Sequence, residues 1–291
     1  MSPVSVVTGA NSGIGRAVAI HLAAKGHDVY GTVRSVERAG KLQAMAADQG
    51  VEVRLVELDV ADDASVEKGF QRILEEAGRV DVLVNNAGVG GNGVTEDTPT
   101  SVYLDVLNVN VCGAVRCIQA VLPQMRERRE GAIVNVTSIA GRMAALGQSA
   151  YAASKWAFEG LSEGLAQEVA PFGIRVIIIE PGVTKSAIFA KNTDVPNADG
   201  PYAAHYRRML QFYAAGLRQP TDPFEVADVI ERALTTDKPQ LRYTMSWAGP
   251  ELVNGRQKMS DEQWVALGQP EDDDDYYDRF QEHFGLDLRT G

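Results

Sequence analysis

The sequence is poor in cysteine, histidine, positive charge and long apolar runs, and each shortage excludes something. Two cysteines, Cys112 and Cys117, stand five residues apart in a predicted helix. That spacing puts them on different faces, so no mutual disulfide is expected and both read as small buried hydrophobes. Four scattered histidines and two cysteines make no zinc-type spacing, and no metal is expected. No run of about 18 apolar residues is evident, so no membrane insertion is expected. Lys and Arg number 28 against 39 Asp and Glu, and the net charge of −11 argues against nonspecific binding to nucleic acid or anionic membrane. No basic segment precedes the apolar residues after Met1-Ser2-Pro3-Val4, so no signal peptide is expected and a cytoplasmic location fits. No repeat of solenoid period is present.

What is there suits a large globular fold. Hydrophobic residues make up 45% of the 291, enough for a sizeable core. Short apolar runs at 4–8, 28–33, 51–58, 80–84, 132–136, 174–179 and 241–245 read as strands. Helical patterns fall at 16–25, 36–49, 59–78, 100–129, 149–171, 202–217 and 223–235. Gly26 stops the first helix, Asp62 caps the third, and the long fourth is expected to bend or end near Pro123. This alternation implies an α/β fold, a parallel sheet covered by helices and joined by right-handed crossovers.

Two stretches suggest chemistry. In 149–159, SAYAASKWAFE, Tyr151 and Lys155 stand four apart and share one face of a helix. An ammonium beside a phenol favours the phenolate and lowers its pKa. A tyrosine tuned below its ordinary value of about 10 could exchange a proton with an alcohol or alkoxide. The loop Thr8-Gly9-Ala10-Asn11-Ser12-Gly13-Ile14-Gly15 lies between a predicted strand and a predicted helix. Its missing side chains let the backbone turn tightly and approach a pyrophosphate at the helix N-terminus.

Taken in order, Thr8-Gly9-x-x-x-Gly13-Ile14-Gly15, Asn85-Asn86-Ala87-Gly88, Ser138, Tyr151-x-x-x-Lys155 and Pro181-Gly182 resemble the short-chain dehydrogenase/reductase family in its compact form. The likeness covers roughly residues 4–190, and weakly the helix and strand after 223. It implies a Rossmann-type doubly wound parallel sheet of about seven strands, in the order 3-2-1-4-5-6-7, flanked by helices. It also implies one catalytic domain, 1–248, with a substrate lid over 186–222 and a polar, acidic C-terminal extension, 249–291, covering the substrate. The acidic run 272–275 in that extension is expected to be solvated and partly disordered.

The resemblance implies a catalytic tetrad. Tyr151 would donate and accept the proton, and Lys155 would lower its pKa and hold the nicotinamide ribose. Ser138 would orient the substrate oxygen, and Asn110 would support a water-mediated proton relay. Thr137 competes with Ser138, and Asn108 with Asn110; the family's spacing favours Ser138 and Asn110. Cofactor contacts would come from Gly9, Asn11, Ser12, Gly13, Ile14 and Gly15, from Asp59 and Val60 at the adenine, and from Asn86, Ala87 and Gly88. Pro181, Gly182, Val183 and Thr184 would join Tyr151 and Lys155 around the nicotinamide.

The second strand ends Tyr30-Gly31-Thr32-Val33-Arg34-Ser35, with Val33 where the family's NAD-selecting aspartate would stand. Arg34 suits a bidentate phosphate contact. NADP(H) is therefore expected over NAD(H), with Ser12, Ser35 or Arg38 as further phosphate contacts. The runs TVRS and EPGVTKSAIF resemble the retinol and hydroxysteroid dehydrogenase branch. They imply a hydrophobic secondary alcohol or ketone, steroid-, retinoid- or aryl-ketone-like. Met143 and Leu146 are expected on one wall of its pocket, with Ile188, Phe189 and the aromatic stretch 202–213 on the other. Arg142 departs from an apolar wall and would meet a polar or acidic group. The resemblance also implies a homodimer or homotetramer. The rival reading is a non-catalytic NAD(P)-binding regulatory or scaffold protein; such proteins usually lose the tyrosine or lysine, and both are present here.

Overall fold

Side chains along a strand point alternately to opposite faces of a sheet. Apolar runs without polar alternation therefore need cover on both sides, and the fold provides it. The computed structural model describes residues 2–144, 146–186, 197 and 199–289. Its strands are β1 (Val4–Val7), β2 (Asp28–Val33), β3 (Arg54–Glu57), β4 (Val82–Asn85), β5 (Gly131–Val136), β6 (Ile174–Pro181) and β7 (Arg242–Met245). They form one sheet in the order β3-β2-β1-β4-β5-β6-β7, with every neighbouring pair parallel. The strand order implied by the resemblance is the one found. Only the third strand is clearly shorter than its apolar pattern.

Helices α1 (Gly13–Ala24), α2 (Gly40–Asp48), α3 (Asp63–Ala77), α4 (Thr100–Leu107), α5 (Gly113–Arg128) and α6 (Ser149–Val169) interleave with the strands. Then come α7 (Ala203–Arg218), α8 (Pro223–Thr235), α9 (Gly249–Lys258), α10 (Asp261–Leu267) and α11 (Asp273–Phe284). One face of the sheet buries Val7, Val84, Val134 and Ile177 against Val18 of α1, Leu42 of α2 and Ile230 of α8. The other buries Val6, Leu83, Ile133 and Val176 against Phe70 of α3, Val121 of α5 and Leu165 of α6. Asp62 caps α3 as its sequence suggests, accepting from Ser65 N at 2.6 Å.

Three expectations need correction. Pro123 neither ends nor breaks α5. The carbonyl it deprives of a partner, four residues back, belongs to exposed Gln119 and can be hydrated instead. The irregularity falls at Asn108–Cys112, a single wide π-turn between α4 and α5. The run Thr100–Arg128 is, by length and composition, long and apolar enough to cross a membrane, contrary to the reading that no such stretch exists. In the fold its stripe Cys117, Ile118, Val121 and Met125 packs against the sheet, and Arg116 pairs with Asp63 of α3. Both cysteines are free, and only Cys117 is buried, its thiol pushed up to about 12 by desolvation; Cys112 is exposed.

The acidic run is the first turn of a helix. Asp272 caps α11 by accepting from Asp274 N at 2.9 Å and Asp275 N at 3.1 Å, and acids in a first turn favour the helix dipole. Helical spacing then buries Tyr276, Tyr277, Phe280 and Phe284 with Leu252, Met259 and Leu267. Arg208 of α7 holds this tail: its Nε donates to Asp273 at 2.8 Å and its Nη2 to the carbonyls of Pro270, Glu271 and Asp272. Gln211 and Arg218 of α7 both donate to the Leu288 carbonyl.

Candidate active site

Strand order reverses between β1 and β4, so the loops leaving those strands diverge and open a crevice at their C-terminal ends. A cleft of about 1070 Å³ lies there. The glycine loop forms one end. Gly9 has φ +67°, and a Cβ on it would lie 2.9 Å from Ala87 Cα; a Cβ on Gly15 would meet Asn86 Nδ2 and the Gly9 carbonyl oxygen, the latter at 2.5 Å. The two loops are braced together. Thr8 Oγ1 accepts from Asn86 N and Ala87 N, both at 3.0 Å, and Asn86 Nδ2 donates to the Thr8 carbonyl at 2.9 Å. Gly9, Asn11, Ser12, Gly13, Ile14, Asp59, Val60, Asn86, Ala87 and Gly88 all line the cleft, while Gly15 packs behind it. Overpacking here costs about 1–3 kcal/mol, so Gly15→Ala is expected to weaken dinucleotide binding by about tenfold. Calorimetric titration checks this, and an unchanged Kd would mean that the brace yields.

At the end of β2, Thr32, Val33, Arg34, Ser35 and Arg38 line the same cleft. Glu37 does not line it, so no carboxylate from this strand end faces the space. Thr32 Oγ1 is buried with no hydrogen-bond partner among the described residues. Glycine cradle, helix N-terminus and paired arginines fit a dinucleotide.

The opposite end carries the reactive side chains. Beyond β5 the chain makes a tight turn, Ile139–Gly141, whose first N–H groups are capped by Ser138; its Oγ accepts from Ala140 N at 3.1 Å. Helix α6 then places Tyr151 and Lys155 on one face, one turn apart. Ser138, Tyr151 and Lys155 all line the cleft. Burial is the larger influence on the Tyr151 phenol and raises its pKa, while Ser138 acts in the opposite direction. Lys155 donates to the Val136 carbonyl at 3.1 Å, and its Nζ lies 5.6 Å from the Tyr151 ring centroid. The expected lowering of the phenol by this ammonium is therefore absent from the arrangement, because desolvation wins. Burial also holds Lys155 down to about 8, with Glu159, one turn further along α6, acting in the opposite direction.

Structure separates the competing hydroxyls and amides. Thr137 Oγ1 is committed to Glu159 Oε1 at 2.5 Å. Asn110 is buried in the π-turn, where its Oδ1 accepts from Val89 N at 2.8 Å and its Nδ2 donates to Val89 O and Ser154 Oγ, each at 2.9 Å. Its side chain thus clamps the loop carrying Val89, a cleft residue, and does not itself line the cleft. Asn108 reaches only the Ala61 carbonyl, at 3.3 Å.

Beneath Lys155 lies a buried charged network. Glu159 and Glu180 are 4% and 0% exposed. Arg242 Nε lies 2.9 Å from Glu159 Oε2 and 3.4 Å from Glu180 Oε1, and its Nη2 reaches Glu163. Arg142 Nη1 reaches Glu180 Oε1 at 2.9 Å, and Thr244 donates to the other oxygen of Glu180. Desolvation holds the Glu159 carboxyl above its ordinary range, although Thr137 and Arg242 oppose that rise.

Arg142 therefore points away from the proposed substrate wall and is not among the residues lining the cleft. A buried carboxylate needs a partner, and that demand outweighs placing the arginine at the pocket. Met143 lines the cleft, whereas Leu146 lines a smaller cavity behind it. Ile188 and Phe189 lie outside the described residues. Pro181, Gly182, Val183 and Thr184 line the cleft. Sequence reading missed Asn92, and had named Gln148 only as the end of the segment leading into the reactive helix and Phe212 and Tyr213 only as part of an aromatic stretch; all four line the cleft. Tyr213 Oη donates to Asn92 Oδ1 at 2.9 Å across 121 residues of sequence, a pairing that no local pattern announces.

Residues 3–196 match the short chain dehydrogenase family. A 3-ketodihydrosphingosine reductase of Bacteroides thetaiotaomicron is 36% identical over 82% of this chain and 86% of its own length. The human 17-beta-hydroxysteroid dehydrogenase type 1 is 37% identical, over 82% and 76%. The crystal structure of a short-chain dehydrogenase from Streptomyces avermitilis superposes with a TM-score of 0.80 at 38% identity, covering 92% of this chain and 98% of that one. An alcohol dehydrogenase from Thermococcus sibiricus, solved with 5-hydroxy-NADP, gives a TM-score of 0.70 at 26% identity over 84% and 97%. With the sheet order, the glycine loop and the Tyr151–Lys155 pair, these likenesses make the chain a member of the short-chain dehydrogenase/reductase family of oxidoreductases.

Proposed function

We propose that this protein is an NADP(H)-dependent oxidoreductase that interconverts a hydrophobic secondary alcohol and its ketone, with Tyr151 as general acid and base. The observation that carries the reading is one cleft lined at one end by Gly9, Gly13 and Arg34 and at the other by Ser138, Tyr151 and Lys155. A bound nicotinamide supplies or accepts the hydride. Ser138 and Tyr151, which line the cleft together, hold the substrate oxygen between them, and Tyr151 passes its proton to the developing alkoxide. Lys155, charged below about pH 8, would hold the nicotinamide ribose. Asn110 keeps the Val89 loop in place beside the site.

Arg34, Ser35 and Arg38 at the end of β2 support NADP(H) over NAD(H), as does the NADP analogue in the Thermococcus sibiricus enzyme. Met143, Ile139 and Phe212 on the wall support an apolar substrate, as do the sphingoid and steroid names of the two relatives. Exposed Leu104 on α4 and Trp156 on α6 support a homo-oligomer formed through these packed helices.

The test is purified protein with NADPH and a panel of apolar ketones, followed by loss of NADPH absorbance. Turnover is expected. A charge-assisted phosphate contact contributes about 1.5–3 kcal/mol, so Arg34→Asp should weaken NADPH by about tenfold or more and NADH far less. Equal losses for both coenzymes would remove Arg34 from the phosphate, and NADPH binding without turnover of any ketone would favour the regulatory reading.

A further inference from the structure

A second cavity, of about 120 Å³, lies behind the catalytic wall. Its near side is Met143, Leu146 and Gln148, from the segment leading into α6. Its far side is Phe212 of α7, Trp264 and Leu267 of α10, and Phe280 of α11. Met143, Gln148 and Phe212 line both this cavity and the cleft that holds Tyr151. Only side chains therefore separate the two spaces. Methionine is unbranched and adaptable, so Met143 is a wall that can change shape.

Size and polarity define an occupant. A dry apolar cavity of about 150 Å³ accepts a benzene molecule, so this one suits a single ring or a branched alkyl end. Its one charged lining residue, Arg208, is 2% exposed. The Arg208 guanidinium is already held by the Asp273 carboxylate, by three backbone carbonyls and over the face of Tyr276 at 4.6 Å. An anionic ligand would gain little there and would lose its hydration. Left empty, the cavity's apolar walls forfeit packing, and a ligand group that fills it recovers those contacts.

We propose that this cavity is a binding site for the neutral, ring-sized apolar end of the substrate, entered past Met143 and Phe212 while the reacting carbon sits at Tyr151. The inference rests on the proposed reduction of ketones in the adjoining cleft. The tail helices α10 and α11 thereby become part of the specificity machinery, since they supply its outer wall.

The experiment compares three methyl ketones with NADPH: one with a short alkyl group, one with a phenyl-ended alkyl arm, and one with the same arm ending in a carboxylate. In the parent enzyme the phenyl arm should raise kcat/KM by about tenfold or more over the short ketone, and the carboxylate should cancel that gain. Leu267→Trp, which fills the cavity from α10, should abolish the gain while kcat/KM for the short ketone changes by less than about twofold. Leu267→Phe, a smaller intrusion, should give a partial loss and guards against a fold that fails with tryptophan; circular dichroism melting checks both. A gain that survives both folded variants, or an arm that brings no gain in the parent, would overturn the proposal. Toluene provides a readout without turnover. It should raise the melting temperature of the parent and not of Leu267→Trp, and no stabilisation of the parent would refute the cavity as a site. Stabilisation by toluene with no turnover of any ketone would instead overturn the ketone-reduction reading on which the substrate assignment depends.

Discussion

Tyr151→Phe is expected to lower kcat for ketone reduction by about 100- to 10,000-fold, the range for a lost general acid. NADPH affinity should stay close to that of the parent, because the ring and its packing are retained. The hydroxyl is the group at stake: Tyr151 lines the cleft with Ser138 and Lys155. Burial raises its pKa in this structure, so the phenol is protonated at neutral pH and ready to donate. Lys155 sets the other limit. Its amine is held down to about 8, so the ammonium is present below that pH and lost above it. The reductive rate of the parent should therefore decline as pH rises past about 8. Single-turnover hydride transfer measured by stopped flow separates chemistry from binding. An unchanged rate in Tyr151→Phe would remove Tyr151 from the reaction.

Arg242→Leu should be the most damaging change for stability, by about 3–5 kcal/mol, because it takes the arginine from buried Glu159 and leaves buried Glu180 with Arg142 alone. Arg242 lies on β7 and bonds Glu159 of α6 and Glu180 of β6, so its loss also unties three elements. The deficit should depend on pH, and its sign follows from Glu159. Burial already raises this carboxyl above its ordinary value of 4.5, so the native state holds the proton more tightly than the unfolded chain does. Stability from such a group is fully present below 4.5 and is lost as pH rises through the raised native value. Without the arginine opposing it, the rise is larger. Urea denaturation should thus find a smaller deficit for Arg242→Leu near pH 5 than near pH 7.5. A deficit independent of pH would mean that the network's charges are compensated from elsewhere.

The part of this molecule legible in its sequence is the part governed by local rules. Glycines needed for close approach, strands buried on both faces and a helix with two reactive groups one turn apart each leave a short-range pattern. Asp62 capped its helix as read, and β2 ended where the basic residues begin. The rest depended on distant partners. Arg142 looked like a pocket residue until Glu180, 38 positions away, was seen to need it. The acidic run is largely exposed as read, but it looked disordered because the aromatic spacing after it gains meaning only against Leu252 and Leu267. Tyr151 looked tuned by Lys155 because spacing shows that two groups are neighbours and says nothing about how dry their surroundings are. Pro123 looked like a breaker because exposure of the carbonyl behind it cannot be read from the chain.

Arg208 has one more consequence. By binding the Asp273 carboxylate and the three carbonyls before α11, it makes α7 and the tail a single cooperative unit of local unfolding, reinforced by the bonds to Leu288. Phe212 and Tyr213 ride on that unit and reach the cleft. Loosening of the tail would thus be felt at the cleft wall, because α11 is tied to the shape of the pocket through α7.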